Sequence, residues 1–596
     1  MNPKTPVAFA SLPPEIINEI CSTLPTSPLL NLRLVNRQLG AIATSWAFRH
    51  VRLGARQGCY DHQHFVWIAQ SEKLRPLVRE ITCDTWLGHT AKHSSRFAFN
   101  HPAEFLNSLP LIRCFHNLES LHLRFSEHTK HDHMDAMDTE TDNFRYRVLD
   151  TAFNCLAGTW SAESQLEMDE NVLPYSFEAD YETAPASVAD LGPLAIKELT
   201  VSNLADFHDE RFTESEVFKK VISMSSLKDL KLSITLQEVE KDHDDDYEPP
   251  DALWFREKYV MFENLPRTWL FPSVAGNLRV LSLYSRDYWG WNPKMDFRAV
   301  RPGNGPDSGF PNLKVLALGK YIFSHDWQVE WIESLGQMNT SGGLEELYLD
   351  RCPILVQARH DAPADHGTTV VGRDSDGNSV EVSNDGYYQM DAMLDDDMFE
   401  PELTYEDYPL RWHHIFPRWR ESMKSLRVFK MGHSSWNSAP EQTMDAWCNE
   451  DTVQERDRED LATILHHNNF RSFDSPSPPQ NKRDKVTTGL EKYRHGTGIN
   501  QHPRHQAAYI YFDIDVAPTQ WCEVYWPWCA YSWQPRLDNE TRFKADRWGL
   551  ETRDGLRPAG GPVNEVGPKK GAEENGVGVP AHGEPGLIFL EQAKCT

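Results

Sequence analysis

The chain has 596 residues, more than one hydrophobic core accommodates, because single cores stop growing at roughly 250–300 residues. It is 40% hydrophobic and 25% charged, a globular composition, and 60 Lys and Arg against 88 Asp and Glu leave a net charge of −28. That balance argues against a general nucleic-acid binder, which needs a positive footprint, and no apolar run approaches the roughly 20 residues that span a bilayer.

The opening "MNPKTPVAFASLPP" has one lysine and no apolar h-region, so no signal peptide is read there. The ten cysteines show no CxxC pairing, Cys522 and Cys529 being the closest two. This suits reduced thiols in the cytoplasm or nucleus rather than a disulfide framework.

The first ordered stretch is "SLPPEIINEICSTLPTSPLLNLRLVNRQLG", Ser11 to Gly40. Ser11 as cap and Pro13 and Pro14 in the first turn predict a helix. Ile16, Ile20 and Leu24 recur at four-residue steps, with Ile17 and Cys21 beside them, and form one apolar stripe. Pro25 stops it. Ser27 and Pro28 start a second helix, with Leu30, Leu34 and Val35 on one face and Leu29 and Leu32 elsewhere. After Gly40, Ile42, Ala43, Trp46 and Ala47 make a third short face. A unit of roughly 40 residues is marginal alone. Its surplus aliphatic surface is covered either by a partner protein or by later parts of this chain.

The pattern Leu12-Pro13-x-Glu15-Ile16-Ile17-x-x-Ile20-x-x-x-Leu24, then Leu29-Leu30-x-Leu32-Arg33-x-Val35-x-Arg37, then Trp46, resembles an F-box over about Ser11 to Leu53. The resemblance implies a helical module that docks the Skp-family adaptor of cullin–RING ubiquitin ligases. It implies that Leu12, Pro13, Ile16, Ile20, Leu24, Leu29, Leu30, Leu34 and Val35 form the core and the docking face. The pattern departs at Ser27-Pro28, where an acidic residue is common, at Asn36, where cysteine is common, and at Leu39, where tryptophan is common. A three-helix DNA-binding domain competes with this reading. Lys4, Arg33, Arg37 and Arg49 only slightly exceed Glu15 and Glu19, and "AIATSWAFRH" offers few groups able to read bases.

Further along, L-x-x-L-x-L recurs as "VREITC" at Val78, "LESLHL" at Leu118, "IKELTV" at Ile196, "LKDLKL" at Leu227, "LRVLSL" at Leu278, "LKVLAL" at Leu313, "LEELYL" at Leu344 and "LRVFKM" at Leu426. Spacings of 31 to 82 residues exceed the roughly 20–29 of a regular leucine-rich repeat. An irregular solenoid is expected, its leucines entering a core that stacking completes, with an ordinary α/β domain as the alternative. The two longest gaps are each expected to hide a degenerate copy or a loop. Thr213 with Glu216 reads as a capping box ahead of Val217, Phe218, Val221 and Ile222, and Trp327, Trp331 and Leu335 recur at helical steps. An F-box followed by leucine-rich repeats resembles a substrate-receptor architecture common in fungal-type F-box families.

On such a solenoid Ser120, His122, Arg124, Glu198, Thr200, Asp229, Lys231, Ser282, Tyr284, Glu346, Tyr348, Asp350 and Lys430 would face the concave side. The sharpest target-binding candidate is "LYSRDYWGW", with Tyr284, Arg286, Tyr288, Trp289 and Trp291, to which Tyr348 is added. Aromatics with an arginine are common hot-spot chemistry, although Trp289 and Trp291 equally suit a core edge.

His128, His131 and His133 lie in a polar loop without cysteine. "GRDSDGNSVEVS" is excluded as a calcium loop, because Gly372 and Ser383 would occupy positions that need carboxylates. "YIYFDIDV" alternates like a strand from Tyr509 to Val516, and "WCEVYWPWCAYSW" reads as a cap over the last repeat. No P-loop, HExxH, GxSxG or paired CxxC occurs.

The expected organisation is α/β. It comprises an F-box at 8–55, an irregular leucine-rich-repeat solenoid at 56–499 with acidic loops at about 127–145, 238–251 and 358–408, a Trp-rich cap at 500–553, and a disordered tail at 554–596. No catalytic residue, metal or cofactor is expected, nor a nucleic-acid or membrane partner. The expected role is a receptor that brings an unknown protein target to a cullin–RING ligase. An F-box scaffold outside any ligase and an enzyme with an unfamiliar pocket are the alternatives.

Overall fold

The computed structural model describes residues 12–434 except 25, 56–59, 86–101, 127–128, 131–139, 174–178, 186–191, 236–251, 304–307, 338–341, 351, 353, 361–363, 389–403, 411–414, 416–417 and 420. Beyond 434 it describes only Tyr509–Ile510, Gln534–Leu537, Leu550–Glu551 and Gly555–Leu556. Most of the expected Trp-rich cap and tail, the acidic stretch at 238–251 and the three loop histidines therefore lie outside the described residues.

Three helices open the chain: α1 Pro14–Thr23, α2 Thr26–Leu32 and α3 Arg37–Ala47. Their boundaries differ from the sequence reading. Pro13, which carries no side-chain cap, precedes α1, and α2 begins one residue before Ser27. Asn36 caps α3 by accepting the Leu39 amide at 2.9 Å, which places Gly40 inside the helix rather than ahead of it. A Cβ on Gly40 would stand 2.9 Å from the Arg33 carbonyl oxygen, so glycine permits the close crossing there.

Nine strands follow and form one parallel sheet in which sheet order equals chain order. They are β1 His50–Gly54, β2 Glu80–Asp84, β3 Ser120–Arg124, β4 Glu198–Ala205, β5 Asp229–Thr235, β6 Val280–Trp289, β7 Val315–Tyr321, β8 Glu346–Asp350 and β9 Val428–Ser434. Tyr509–Ile510 adds a short antiparallel tenth strand beside β9. Every L-x-x-L-x-L copy falls on one of these strands. The second and third apolar positions enter the core, as at Leu121 and Leu123, Leu230 and Leu232, and Leu281 and Leu283, all 0% exposed. The first position sits just before the strand and is buried as well, at Leu118, Leu227 and Leu278. Among the described residues the two long gaps contain no further strand of this sheet. β3 pairs directly with β4, and β8 with β9.

Helices occupy the crossovers. Asp142–Ala157, Glu216–Ile222 and the segment before β6 meet in an aromatic cluster of Phe153, Phe212, Phe218 and Trp269, with ring centroids 4.9 to 6.2 Å apart. The cap of Glu216–Ile222 is Ser215, which accepts the Phe218 amide at 3.1 Å; Thr213 instead ends the preceding turn of helix. Trp331 of the helix Asp326–Gly336 stacks on Phe297 at 3.9 Å.

The expected loop at 358–408 contains hairpins instead. Thr368–Arg373 pairs with Ser379–Ser383 across a turn in which Asp374 Oδ1 accepts the Asp376 and Asn378 amides at 3.0 and 2.8 Å. The alternating "TTVV" and "SVEVS" around Asp-Gly is a hairpin pattern that the acidic composition obscured. The next turn docks on the main body through His325. Its ring stacks on Tyr387 at 4.3 Å, Nε2–H donates to the Asp385 carbonyl at 2.7 Å, and Nδ1 therefore accepts the Ser324 hydroxyl at 2.6 Å.

Burial, aided by the positive Arg298 and Lys294 and opposed by the Asp385 carbonyl and Asp296, lowers the His325 pKa to about 4. The unfolded chain binds this proton near pH 6.5 while the folded one does not. Stability from this site is thus complete above about pH 6.5 and falls as the pH drops towards 4, by at most about 1.4 kcal/mol per unit. Thermal melts between pH 7 and 5 should show a decline that His325→Gln reduces. An equal decline in the variant would remove His325 as its source.

Candidate functional site

The three N-terminal helices build a small core of their own from Ile17, Cys21, Leu29, Leu39, Ala43 and Ala47, all at most 6% exposed. Leu12, Leu24, Leu32, Ile42, Trp46 and Phe48 pack around it. Two polar contacts fix the helix crossings. Trp46 Nε1 donates to Asn18 Oδ1 at 2.8 Å, and Arg33 Nε donates to Thr44 Oγ1 at 3.0 Å. Burial pushes the Cys21 thiol above its usual range, so it remains a neutral core group.

The residues expected at the docking face divide into two sets. Leu29 is core at 3% exposure, and Leu12, Ile20 and Leu24 are half-buried. Pro13 is exposed, as are Ile16 at 49%, Leu30 at 41%, Leu34 at 85% and Val35 at 63%. Leu34 and Val35 stand in the turn between α2 and α3, not on a helix face. Nine large hydrophobic residues are exposed among the described residues. Four of them fall within this one short stretch, which singles it out as unpartnered surface.

Phe48 was missed in the sequence as a structural joint. It packs on both the small core and the large core of the sheet. β1 starts only two residues later, and Arg49 O accepts the Arg79 and Glu80 amides at 2.8 and 3.0 Å. The signal was available: "FRHVRL" is a further copy of the recurrence, with phenylalanine in the first leucine position.

The target-binding candidates are placed differently from the expectation. Tyr284, Trp289, Trp291 and Tyr348 are buried, at 2, 1, 4 and 0% exposure, and offer no face to a partner here. Trp289 Nε1 donates to Gly319 O at 2.7 Å, and its ring lies 4.9 Å from Tyr321. Trp291 Nε1 donates to Gly386 O at 2.9 Å, and the Tyr348 hydroxyl donates to Glu346 Oε2 at 2.6 Å. Core demand explains this: a sheet covered by long crossovers needs large side chains at its rim. Tyr288 is half-buried, with Lys320 Nζ 5.8 Å from its ring centroid, and the Arg286 side chain lies outside the described residues. The ladder positions His122, Thr200, Lys231 and Ser282 are likewise buried, Lys231 pairing with Glu198.

A cavity of about 440 Å³ lies on the helical side, lined among others by Arg113, Cys155, Trp160, Tyr181 and Glu182. Arg113 stacks over Trp160 at 4.0 Å. Burial holds the Cys155 thiol at about 12, an unreactive state. Among the described residues no group of three or more His, Cys, Asp or Glu is arranged to hold a metal, and no helix is long and apolar enough to cross a membrane.

Residues 9–50 match the family model of the F-box domain. F-box domains generally bind Skp-family adaptors in cullin–RING ligases, and proteins that carry them are typically non-catalytic substrate receptors. No curated protein matches the chain.

Proposed function

We propose that this chain is the substrate-recognition subunit of an SCF-type cullin–RING ubiquitin ligase. Its F-box docks a Skp-family adaptor, and an irregular leucine-rich-repeat region built on the nine-stranded sheet binds a target protein in the cytoplasm or nucleus. The observation that carries this reading is the exposed set Ile16, Leu30, Leu34 and Val35 on a module whose own core is already closed. These side chains are not needed for the fold, and a partner is what remains to cover them.

The sheet's strand order and the coincidence of every L-x-x-L-x-L copy with a strand support the repeat reading. The direct passage from α3 through Phe48 into β1 supports a receptor role. A target held on the sheet would keep a fixed bearing to the adaptor, and ubiquitin transfer would gain from proximity and orientation without chemistry by this chain.

Co-purification of the full chain tests it. A ligase receptor brings down both the adaptor and a cullin. Recovery of the adaptor alone supports a scaffold outside the ligase, and recovery of neither overturns the docking claim.

A further inference from the structure

The residue that precedes each of the nine parallel strands is charged. These residues are Arg49, Arg79, Glu119, Lys197, Lys228, Arg279, Lys314, Glu345 and Arg427. Backbone bonds align them: the carbonyl of each accepts the amide of the next, at 2.7 or 2.8 Å. They form one row along the leading edge of the sheet, one residue per strand, with a spacing of roughly 4.8 Å and a length of about 40 Å.

Seven of the nine are basic, giving the row a net charge of +5 on a chain whose net charge is −28. The two glutamates are already neutralised within the row. Glu119 lies 3.8 Å from Arg49 and 3.3 Å from Lys197, and Glu345 lies 3.6 Å from Lys314 and 3.7 Å from Arg427. Between them Lys197, Lys228, Arg279 and Lys314 stand on four successive strands. Lys197 and Arg279 are exposed and Lys228 is half-buried. Among the described residues Arg279 has an acidic neighbour in Asp229, whose carboxyl senses its charge. Like charges on neighbouring strands oppose pairing. In a chain with 88 acidic residues the fold by itself would favour alternation of sign here.

We infer that this row is a docking surface for an acidic polypeptide segment of a partner protein. Charge complementarity carries the inference: the row concentrates positive charge where the rest of the chain repels acids. A polypeptide is favoured over nucleic acid because the paired glutamates interrupt the phosphate track, and the row has no aromatic residues on which bases would stack. The row belongs to the sheet, so it stands or falls independently of adaptor docking.

The test uses the full chain, without adaptor, and a fluorescent polyglutamate peptide of about 20 residues read by anisotropy. Binding is expected at low ionic strength, with at least a tenfold loss by about 0.3 M salt. Lys228→Glu with Arg279→Glu should weaken binding at least tenfold. Arg211→Glu with Arg373→Glu, which changes net charge equally but lies away from the row, should not. Absence of binding, equal loss in both variants, or tighter binding of single-stranded DNA than of polyglutamate would each overturn the inference.

Discussion

Replacing Leu30 and Leu34 together by aspartate is expected to abolish adaptor capture while the protein stays folded. Leu34 is 85% exposed and adds little apolar burial to the free chain, while Leu30, 41% exposed, adds only part of its side chain. Exposed substitutions of this kind usually change stability by no more than about 0.5 kcal/mol. In a complex the same side chains would be covered. Burying a leucine fully is worth about 1.5–3 kcal/mol, and a carboxylate forced into the contact adds a desolvation cost. Two such losses together amount to at least about 4 kcal/mol, or roughly a thousandfold in affinity. Calorimetric titration with purified adaptor measures the affinity, and circular dichroism melts report the fold. Leu29→Asp is the contrasting control. Leu29 is 3% exposed in the small core, so its replacement should melt the module itself. Wild-type affinity in the Leu30/Leu34 double variant would refute the docking surface.

Legibility in the sequence varied with the physics of each signal. The strands were legible because parallel strands buried on both sides of a crossover demand leucine at fixed offsets, and nothing else in "LKDLKL" or "LRVLSL" satisfies that demand. β1 escaped because Phe48 and Val51 replace the leucines. The small-core residues Ile17, Cys21 and Ala43 fell where helical periodicity put them. Periodicity could not separate Leu29, which is core, from its neighbour Leu30, which is exposed. The aromatic run after β6 was ambiguous for a similar reason. Trp289 and Trp291 have the same composition as a binding hot spot, and only the packing of Tyr321, Phe262 and Tyr408 around them shows that they fill the rim. The hairpins at 368–383 were hidden by an acidic composition, although Asp-Gly between β-branched residues marked them. The basic row was also in plain view, as the second letter of every copy, but it acquires meaning only once the strands are known to lie side by side.

The largest effect on stability is expected at Arg147, in the helix Asp142–Ala157. Its side chain is 0% exposed, and Nε and Nη2 donate to the two carboxylate oxygens of Asp169 at 3.0 and 3.3 Å, while Nη1 donates to Leu106 O at 3.3 Å. Asp169 also accepts from Gln165 at 3.1 Å and from the Tyr181 hydroxyl, and Gln165 in turn accepts from Thr151 and from Trp160 Nε1 at 2.7 and 2.9 Å. One buried charge pair thus anchors two helices and two walls of the helical-side cavity, Trp160 and Tyr181. Arg147→Met keeps the volume and removes the cation, leaving the Asp169 carboxylate buried without its counter-charge. Breaking a buried pair in this way costs about 3–5 kcal/mol. Removing both charges costs far less, because the desolvation of Asp169 disappears with its charge. Arg147→Met with Asp169→Leu should therefore recover part of the stability lost in Arg147→Met, and denaturant unfolding of the four proteins in the cycle measures the difference. If the double variant were less stable than Arg147→Met by the full cost of a second substitution, the pair would be additive and the anchoring role would be lost. The cycle also separates packing from charge, since both variants lose the same guanidinium contacts and only one retains an uncompensated carboxylate.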